Sequence, residues 1–290
     1  MPRILIAGCG YLGQATADLL HERGWKVEGW TASVPSARQL AAKPYAVHAV
    51  DLTNRAAVSA VREEFDVVIQ CASSGGGDAE EYRRIYLAGA RNLLHAFPRT
   101  SLLFTSSTSV YAQKRGDIVD ETSPANPAHE RGQILREAEE LVLSHNGMVA
   151  RLGGIYGPGR SFLLRKFLAG EAVPDDAGDH FVNQVHRDDI VSALLLLAER
   201  RADLGRQIYN VVDNQPILAR DTYQWLSAKL QRSLLTGKVA AGRKRGDSNK
   251  RVSNRKLRAL GWEPRYPNFV VAMTESILPS FGFEGQISQS

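Results

Sequence analysis

The residues Arg3-Ile-Leu-Ile-Ala-Gly-Cys-Gly-Tyr-Leu-Gly13 constrain this chain more than any other stretch. A short apolar run without polar alternation is the pattern of a strand buried on both faces, as in a parallel sheet. Glycines follow at 8, 10 and 13. Leu12, Ala15, Leu19 and Leu20 then recur at helical spacing up to Gly24, which stands where a helix ends. A strand, a tight glycine turn and a helix, in that order, aim the first amides of the helix at an anion. Gly8 permits the turn, Gly10 lets a diphosphate approach the backbone, and Gly13 lets the helix pack against the strand. A glycine pattern alone is weak, but in this setting it reads as a dinucleotide site made by Gly8, Gly10, Tyr11, Leu12 and Gly13.

The same alternation continues along the chain. Further strands are expected at 26–30, 46–50, 67–71, 102–105, 148–152 and 208–212. Helices are expected at 82–97, closed by Pro98, and at 131–144 and 187–201. Strands separated by helices imply an α/β fold of the Rossmann type, a doubly wound parallel sheet whose ligands sit at the carboxyl ends of the strands. At 290 residues the chain has room for a smaller C-terminal substrate lobe. We expect residues 1–152 and about 187–215 to form the NAD(P)-binding domain, and 153–186 with 216–290 the smaller lobe.

Composition narrows the partners. Hydrophobic residues at 43% and charged residues at 23% suit a soluble globular protein. No apolar run approaches the roughly 20 residues that cross a bilayer, so no membrane partner is expected. Met1 leads almost directly into a strand, so no secretory signal is expected, and the only cysteines, Cys9 and Cys71, fit a reducing cytoplasm. The net charge of +5 is concentrated in Lys238 to Arg258, a stretch without aromatic stacking platforms. It reads as a solvated face, and nucleic acid is not the expected partner. No His, Cys and Asp cluster has the spacing of a metal site, and the last eight residues are expected to fray.

The end of the second strand usually selects between the two nicotinamide dinucleotides. An acid there holds the ribose 2′-hydroxyl, whereas hydroxyls and cations favour a 2′-phosphate. Here it reads Gly29-Trp-Thr-Ala-Ser33, with Glu28 two residues too early. Thr31 and Ser33, with Arg38 nearby, favour NADP over NAD.

Seven further segments carry a resemblance. They are Asp51-Leu52-Thr53, Val68 to Ser73, the serine-rich Phe104 to Tyr111, Arg151 to Gly159, Asn183 to Ile190, Tyr209 to Asp213 and Leu257 to Pro267. With them the chain resembles the extended or atypical short-chain dehydrogenases/reductases, the NAD-dependent epimerase/dehydratase family, over nearly its whole length. The resemblance implies that Asp51 and Leu52 lie beside the adenine, and that Cys71, Ala72 and Ser73 line the cofactor. It puts Ser107 at the catalytic serine position and Tyr156 and Arg160 in the segment leading to the substrate. It also implies a small-molecule substrate and a homodimer formed through the helices at 82–97 and 131–144.

The departures are as specific as the matches. Ala7 stands where the family commonly has its first glycine, and Tyr86 where many relatives have asparagine. Laying Pro127 to Glu139 on the family's active-site helix puts Arg131 at the tyrosine and Leu135 at the lysine. None of the nine tyrosines has a lysine four residues on. The chain thus resembles bacterial members that lack the Tyr-x-x-x-Lys pair. In the family the phenol exchanges a proton as hydride moves. A free phenol titrates near 10, so neutral operation requires about 4 kcal/mol of electrostatic help. Leu135 supplies none, and the guanidinium of Arg131 stays protonated, so Arg131 is either a polarising cation or a surface charge. Ser107 can orient a substrate oxygen, and Tyr111 or Tyr156, at strand ends, can supply the hydroxyl or simply pack. His186 and Asp189 are expected to tie the lobes together. Two readings stay open: an oxidoreductase, epimerase or dehydratase-like enzyme, and a non-catalytic NAD(P)-binding sensor or scaffold.

Overall fold

In a computed structural model, which describes residues 1–171, 180–234 and 248–283, seven strands form one sheet. They are β1 (Arg3–Ala7), β2 (Lys26–Thr31), β3 (Ala46–Ala49), β4 (Val67–Gln70) and β5 (Ser101–Ser107), then Met148–Leu152 and Ile208–Val211. Their spatial order runs β3, β2, β1, β4, β5, Met148–Leu152, Ile208–Val211. β1 pairs in parallel with β2 on one side and β4 on the other, and β2–β3 and β4–β5 are parallel as well. This is the Rossmann-type α/β sheet the alternation implies, with the strand order reversing at β1, where such sheets bind ligands.

The apolar run is a strand because both faces are covered: Ile4, Leu5, Ile6 and Ala7 are wholly buried. Helix α1 (Tyr11–Glu22) buries Leu12, Gly13, Thr16, Ala17 and Leu20, a stripe at helical spacing. It ends at Gly24, whose φ of 81° suits glycine and whose amide donates to the His21 carbonyl. The expected strands match the observed ones to within one or two residues at each end.

The expected helix at 82–97 starts earlier, at Ala79, and is interrupted. Ala79–Tyr82 leads into a π turn over Arg83–Ala88 before the α-helix Gly89–Ala96. The buried amide of Gln70 explains the interruption: its Nε2 donates to the carbonyls of Ile85 (3.0 Å) and Tyr86 (3.4 Å), which a widened turn leaves available. Two short helices without an apolar stripe, Val34–Gln39 and Arg55–Ala60, complete the early crossovers.

The chain divides into two compact units. One comprises Met1–Val110, Ala125–Arg151 and Ile190–Tyr209; the other comprises Tyr111–Pro124, Leu152–Asp189 and Asn210–Ser290. The second has its own apolar core around Tyr156, Leu164, Phe167, Leu226, Phe269 and Ile277. Three small strand pairs frame it: Gln184–His186 with Gly154–Tyr156, Phe181–Val182 with Ile217–Leu218, and Lys250–Val252 with Asp117–Val119. Arg243, Lys244, Arg245 and all but one of the last eight residues lie outside the described residues. Among the described residues, no helix is long and apolar enough to cross a membrane.

Candidate functional site

The glycine turn between β1 and α1 divides its three glycines by role. Gly8 has φ 111°, and a Cβ there would sit 2.3 Å from the Ala72 amide nitrogen. A Cβ on Gly13 would sit 2.0 Å from the Gly8 carbonyl oxygen. Gly10 is different: nothing lies within 4 Å of where its Cβ would point. Gly8 and Gly13 are therefore demanded by the fold itself, whereas Gly10 is demanded by nothing yet in contact with it.

Gly10 is also the N-cap of α1, with no side-chain cap bond and no acid in the first turn. The Gln14 amide makes the first helical bond, to the Gly10 carbonyl at 2.9 Å. The preceding amides, among them Leu12 and Gly13, lie at the partial positive end of a twelve-residue helix whose own first turn carries no acid. These residues fit a dinucleotide diphosphate. Leu12 is buried and Tyr11 half-buried.

The surrounding strand ends complete this side. At β2, the Glu28 carboxylate accepts the Trp30 indole N–H at 2.9 Å. The Thr31 hydroxyl donates to the Ser33 carbonyl, and Ser33 caps the next helix by accepting the Ser36 amide. At β3, Asp51 accepts the Thr53 amide at 2.9 Å, and buried Leu52 has its carbonyl held by Asn92. At β4, Cys71 and Ala72 both donate to the Ala7 carbonyl, which brings them against the glycine turn, and Ser73 is exposed. Cys9 is buried between this turn and Gly29, and burial pushes its thiol up to about 12.

Past Ser73 the chain runs through Gly75 and Gly76, both at positive φ, to Gly77. The Arg131 guanidinium donates to the Gly77 carbonyl at 3.3 Å and lies over the Tyr82 ring. Arg131 therefore fastens the loop leaving β4 to the first turn of the helix Glu130–Ser144. Leu135, at the position of the family's lysine, is buried. Ser107 accepts the Ser109 amide at 3.1 Å, which leaves its hydroxyl proton to be donated.

Beside Ser107 lies a network that the sequence reading missed. Ser106 donates to Glu139 at 2.6 Å, and Arg151 grips the same carboxylate through Nε (3.0 Å) and Nη2 (2.6 Å), with Arg136 as a further partner. Glu139 and Arg151 are essentially unexposed. A signal for it existed: Glu139 falls on the buried stripe of Ile134, Leu135, Ala138 and Val142.

The remaining candidates belong to the second unit. Tyr111 is wholly buried, and its hydroxyl donates to Asn210 Oδ1 at 2.9 Å; it is a structural partner, not an open proton donor. Asn210 in turn donates through its amide to Glu121 and through Nδ2 to Ser253. Tyr156 is a core residue rather than a surface contact, its hydroxyl pushed up by burial and by the Asp213 and Asp189 carboxyls. Arg160 is exposed on the tight turn it closes with Gly157. Asp189 accepts the amides of Arg265 (2.6 Å) and Tyr266 (3.1 Å), and burial raises its carboxyl to about 6. His186 stacks on Tyr266 at 3.9 Å and meets Ser276 at 2.9 Å; burial lowers it to about 4. These partners all lie within the same unit, so these bonds of His186 and Asp189 knit that unit together internally. Among the described residues, no three His, Cys, Asp or Glu side chains are grouped to hold a metal ion.

Comparison with known proteins bears on the family and the fold. The pattern described as the NAD dependent epimerase/dehydratase family matches residues 4–211. Protein YeeZ of Escherichia coli K12 is 31% identical over 292 residues, covering 95% of this chain and all of that protein. A Methylobacillus flagellatus structure, provisionally named an NAD-dependent epimerase/dehydratase, is 30% identical with a TM-score of 0.78, covering 93% of this chain and 96% of that one. The UDP-glucose 4-epimerase of Thermus thermophilus, solved with NAD, superposes with a TM-score of 0.81 over 98% of this chain and 99% of its own, at 22% identity. At that identity it shares the fold alone.

Proposed function

Because this chain belongs to the NAD-dependent epimerase/dehydratase family, we propose that its first unit binds a nicotinamide dinucleotide and that the protein carries out oxidoreductase, epimerase or dehydratase-type chemistry on a small molecule, a nucleotide sugar being the first class to try. The observation that carries this reading is the uncapped start of α1, with open space before Gly10 and backbone collisions awaiting any side chain at Gly8 or Gly13. The cofactor, when bound, supplies the hydride acceptor or donor.

The chain's own residues then have distinct tasks. The amides that open α1, those of Leu12 and Gly13 among them, hold the diphosphate, with Asp51 and Leu52 on the adenine side and Cys71, Ala72 and Ser73 along the crevice. We take NADP as the preferred dinucleotide because β2 ends at Thr31 and Ser33 with no acid there to repel a 2′-phosphate. Ser107 donates its free hydroxyl proton to a substrate oxygen. Arg131 sets the position of the Gly75–Gly77 loop and brings positive charge to that edge of the unit. Tyr111 contributes by positioning, through Asn210. The second unit takes the substrate, with Arg160 on its exposed turn. We place the protein in the cytoplasm as a homodimer, in keeping with its two free thiols.

A second reading rests on the same geometry. Tyr111 and Tyr156 are both buried, Leu135 is apolar and Arg131 cannot act as a base, which favours an NAD(P)-binding sensor or scaffold without turnover. Fluorescence titration of NADPH and NADH, followed by a turnover screen over nucleotide sugars and simple carbonyl compounds, separates the two. Turnover that falls in Ser107→Ala supports the enzyme. Tight binding without turnover, and activity gained by Arg131→Tyr/Leu135→Lys, supports the sensor. Absence of binding by either nucleotide refutes both.

A further inference from the structure

The strand Lys250–Val252 buries alternate residues, so Lys250 and Val252 turn inward and Arg251 outward. Arg251 is accounted for: its Nε donates to the Gly116 carbonyl at 2.9 Å and its guanidinium covers the Phe181 ring. Lys250 is not. It is only 6% exposed, yet among the described residues its ammonium has one partner, the Ser248 hydroxyl at 2.9 Å, and no carboxylate. Asp117 is its register partner on the neighbouring strand, but that side chain is exposed. An ammonium offers three donors, and burying one with a single neutral acceptor is costly unless a counter-charge joins it.

The backbone around Lys250 is fastened, so the side chain is held inward by construction. Asn183 donates from Nδ2 to the Lys250 carbonyl (2.9 Å) and accepts the Val252 amide (2.7 Å). The Asn249 amide donates to the Gln113 carbonyl, and its side chain accepts the Phe181 amide. Gln113, on that adjoining segment, keeps a buried Oε1 without a hydrogen-bond donor, a second polar atom left open. Burial lowers Lys250 to about 8, so the ammonium still predominates at neutral pH.

We propose that Lys250 anchors an oxyanion-binding site in the second unit, taking a carboxylate or phosphate group of a small molecule. Assigning that molecule as the substrate rests on the functional reading above; the site itself does not. Lys250 and Ser248 donate to the anion.

Thermal unfolding of the full chain at fixed ionic strength tests this, with inorganic pyrophosphate and succinate as the probes. Each is run on a Gly10→Ala background as the reference, so that a diphosphate bound at the start of α1 does not contribute. At tenfold above its dissociation constant, at least one probe raises the reference Tm by about 2–4 °C. On that background Lys250→Met loses the shift, and Lys250→Arg keeps part of it; the probe that acts tells phosphate from carboxylate. If Lys250→Met fails to fold, Lys250→Gln takes its place. Equal shifts in reference and variant, or none with either probe, overturn the proposal. NADH titrated against Lys250→Met should bind as in the wild type. Wild-type protein that binds an anion but no nucleotide sinks the functional reading and leaves this one standing.

Discussion

The three glycines of the first turn allow a fold requirement to be separated from a ligand requirement by one series of variants. Gly10→Ala places a methyl where nothing lies within 4 Å, at a φ of −88° that alanine adopts freely. The expected stability change is within about 1 kcal/mol, because the small loss of capping preference and the gain from a stiffer unfolded chain oppose each other. The same methyl stands in front of the helix amides, so NADH affinity should fall at least about tenfold, equivalent to about 1.4 kcal/mol. Gly13→Ala collides with the Gly8 carbonyl oxygen at 2.0 Å and Gly8→Ala with the Ala72 amide nitrogen at 2.3 Å. Both obstacles are backbone and cannot rotate away. Each variant should lose about 1–3 kcal/mol through overpacking, with added strain at Gly8 from its positive φ. At about 2–4 °C per kcal/mol, thermal unfolding resolves the two classes, and NADH fluorescence measures affinity alongside. Gly10→Ala binding NADH as the wild type does, or melting as low as Gly13→Ala, would refute the reasoning.

Glu139→Leu should cost about 3–5 kcal/mol in urea unfolding, since it strands the buried Arg151 guanidinium, while Glu139→Leu/Arg151→Met should cost much less than the two single changes together. Because Ser106 bonds to Glu139 and adjoins Ser107, the single variant should also impair any turnover. His186 titrates near 4 in the fold and near 6.5 when unfolded, so the unfolded chain takes up its proton first and stability falls as pH drops from about 6.5 to 4. His186→Phe keeps a ring on Tyr266 and should remove about 2–3 kcal/mol of that fall; Asp189, raised to about 6, pulls in the opposite sense over pH 4–6 and is present in both proteins. An unchanged acid limb in the variant would contradict this.

What could be read from the sequence was what leaves a local mark. β1 and β4 announce themselves because strands buried on both faces are unbroken apolar runs, and α1 because its stripe repeats every three or four residues. Val34–Gln39 and Arg55–Ala60 bury at most one residue each and carry no period to detect. The strand pairs of the second unit are two or three residues long, too short for alternation to register. The glycine turn was legible because glycine chemistry is local. The engagement of Tyr111 was not: its partner Asn210 lies 99 residues away, and only folding brings the two together. Lys250 looked like one cation among many in a basic stretch, and its burial is likewise a tertiary fact.

The most direct measurement is a crystal structure of the full chain grown with NAD or NADP. The account predicts diphosphate oxygens within hydrogen-bonding distance of the amides that open α1, directly before Gly10, with no tyrosine or lysine near the nicotinamide ring. Density for the nucleotide elsewhere, or a clear helix start at saturating nucleotide, would contradict it.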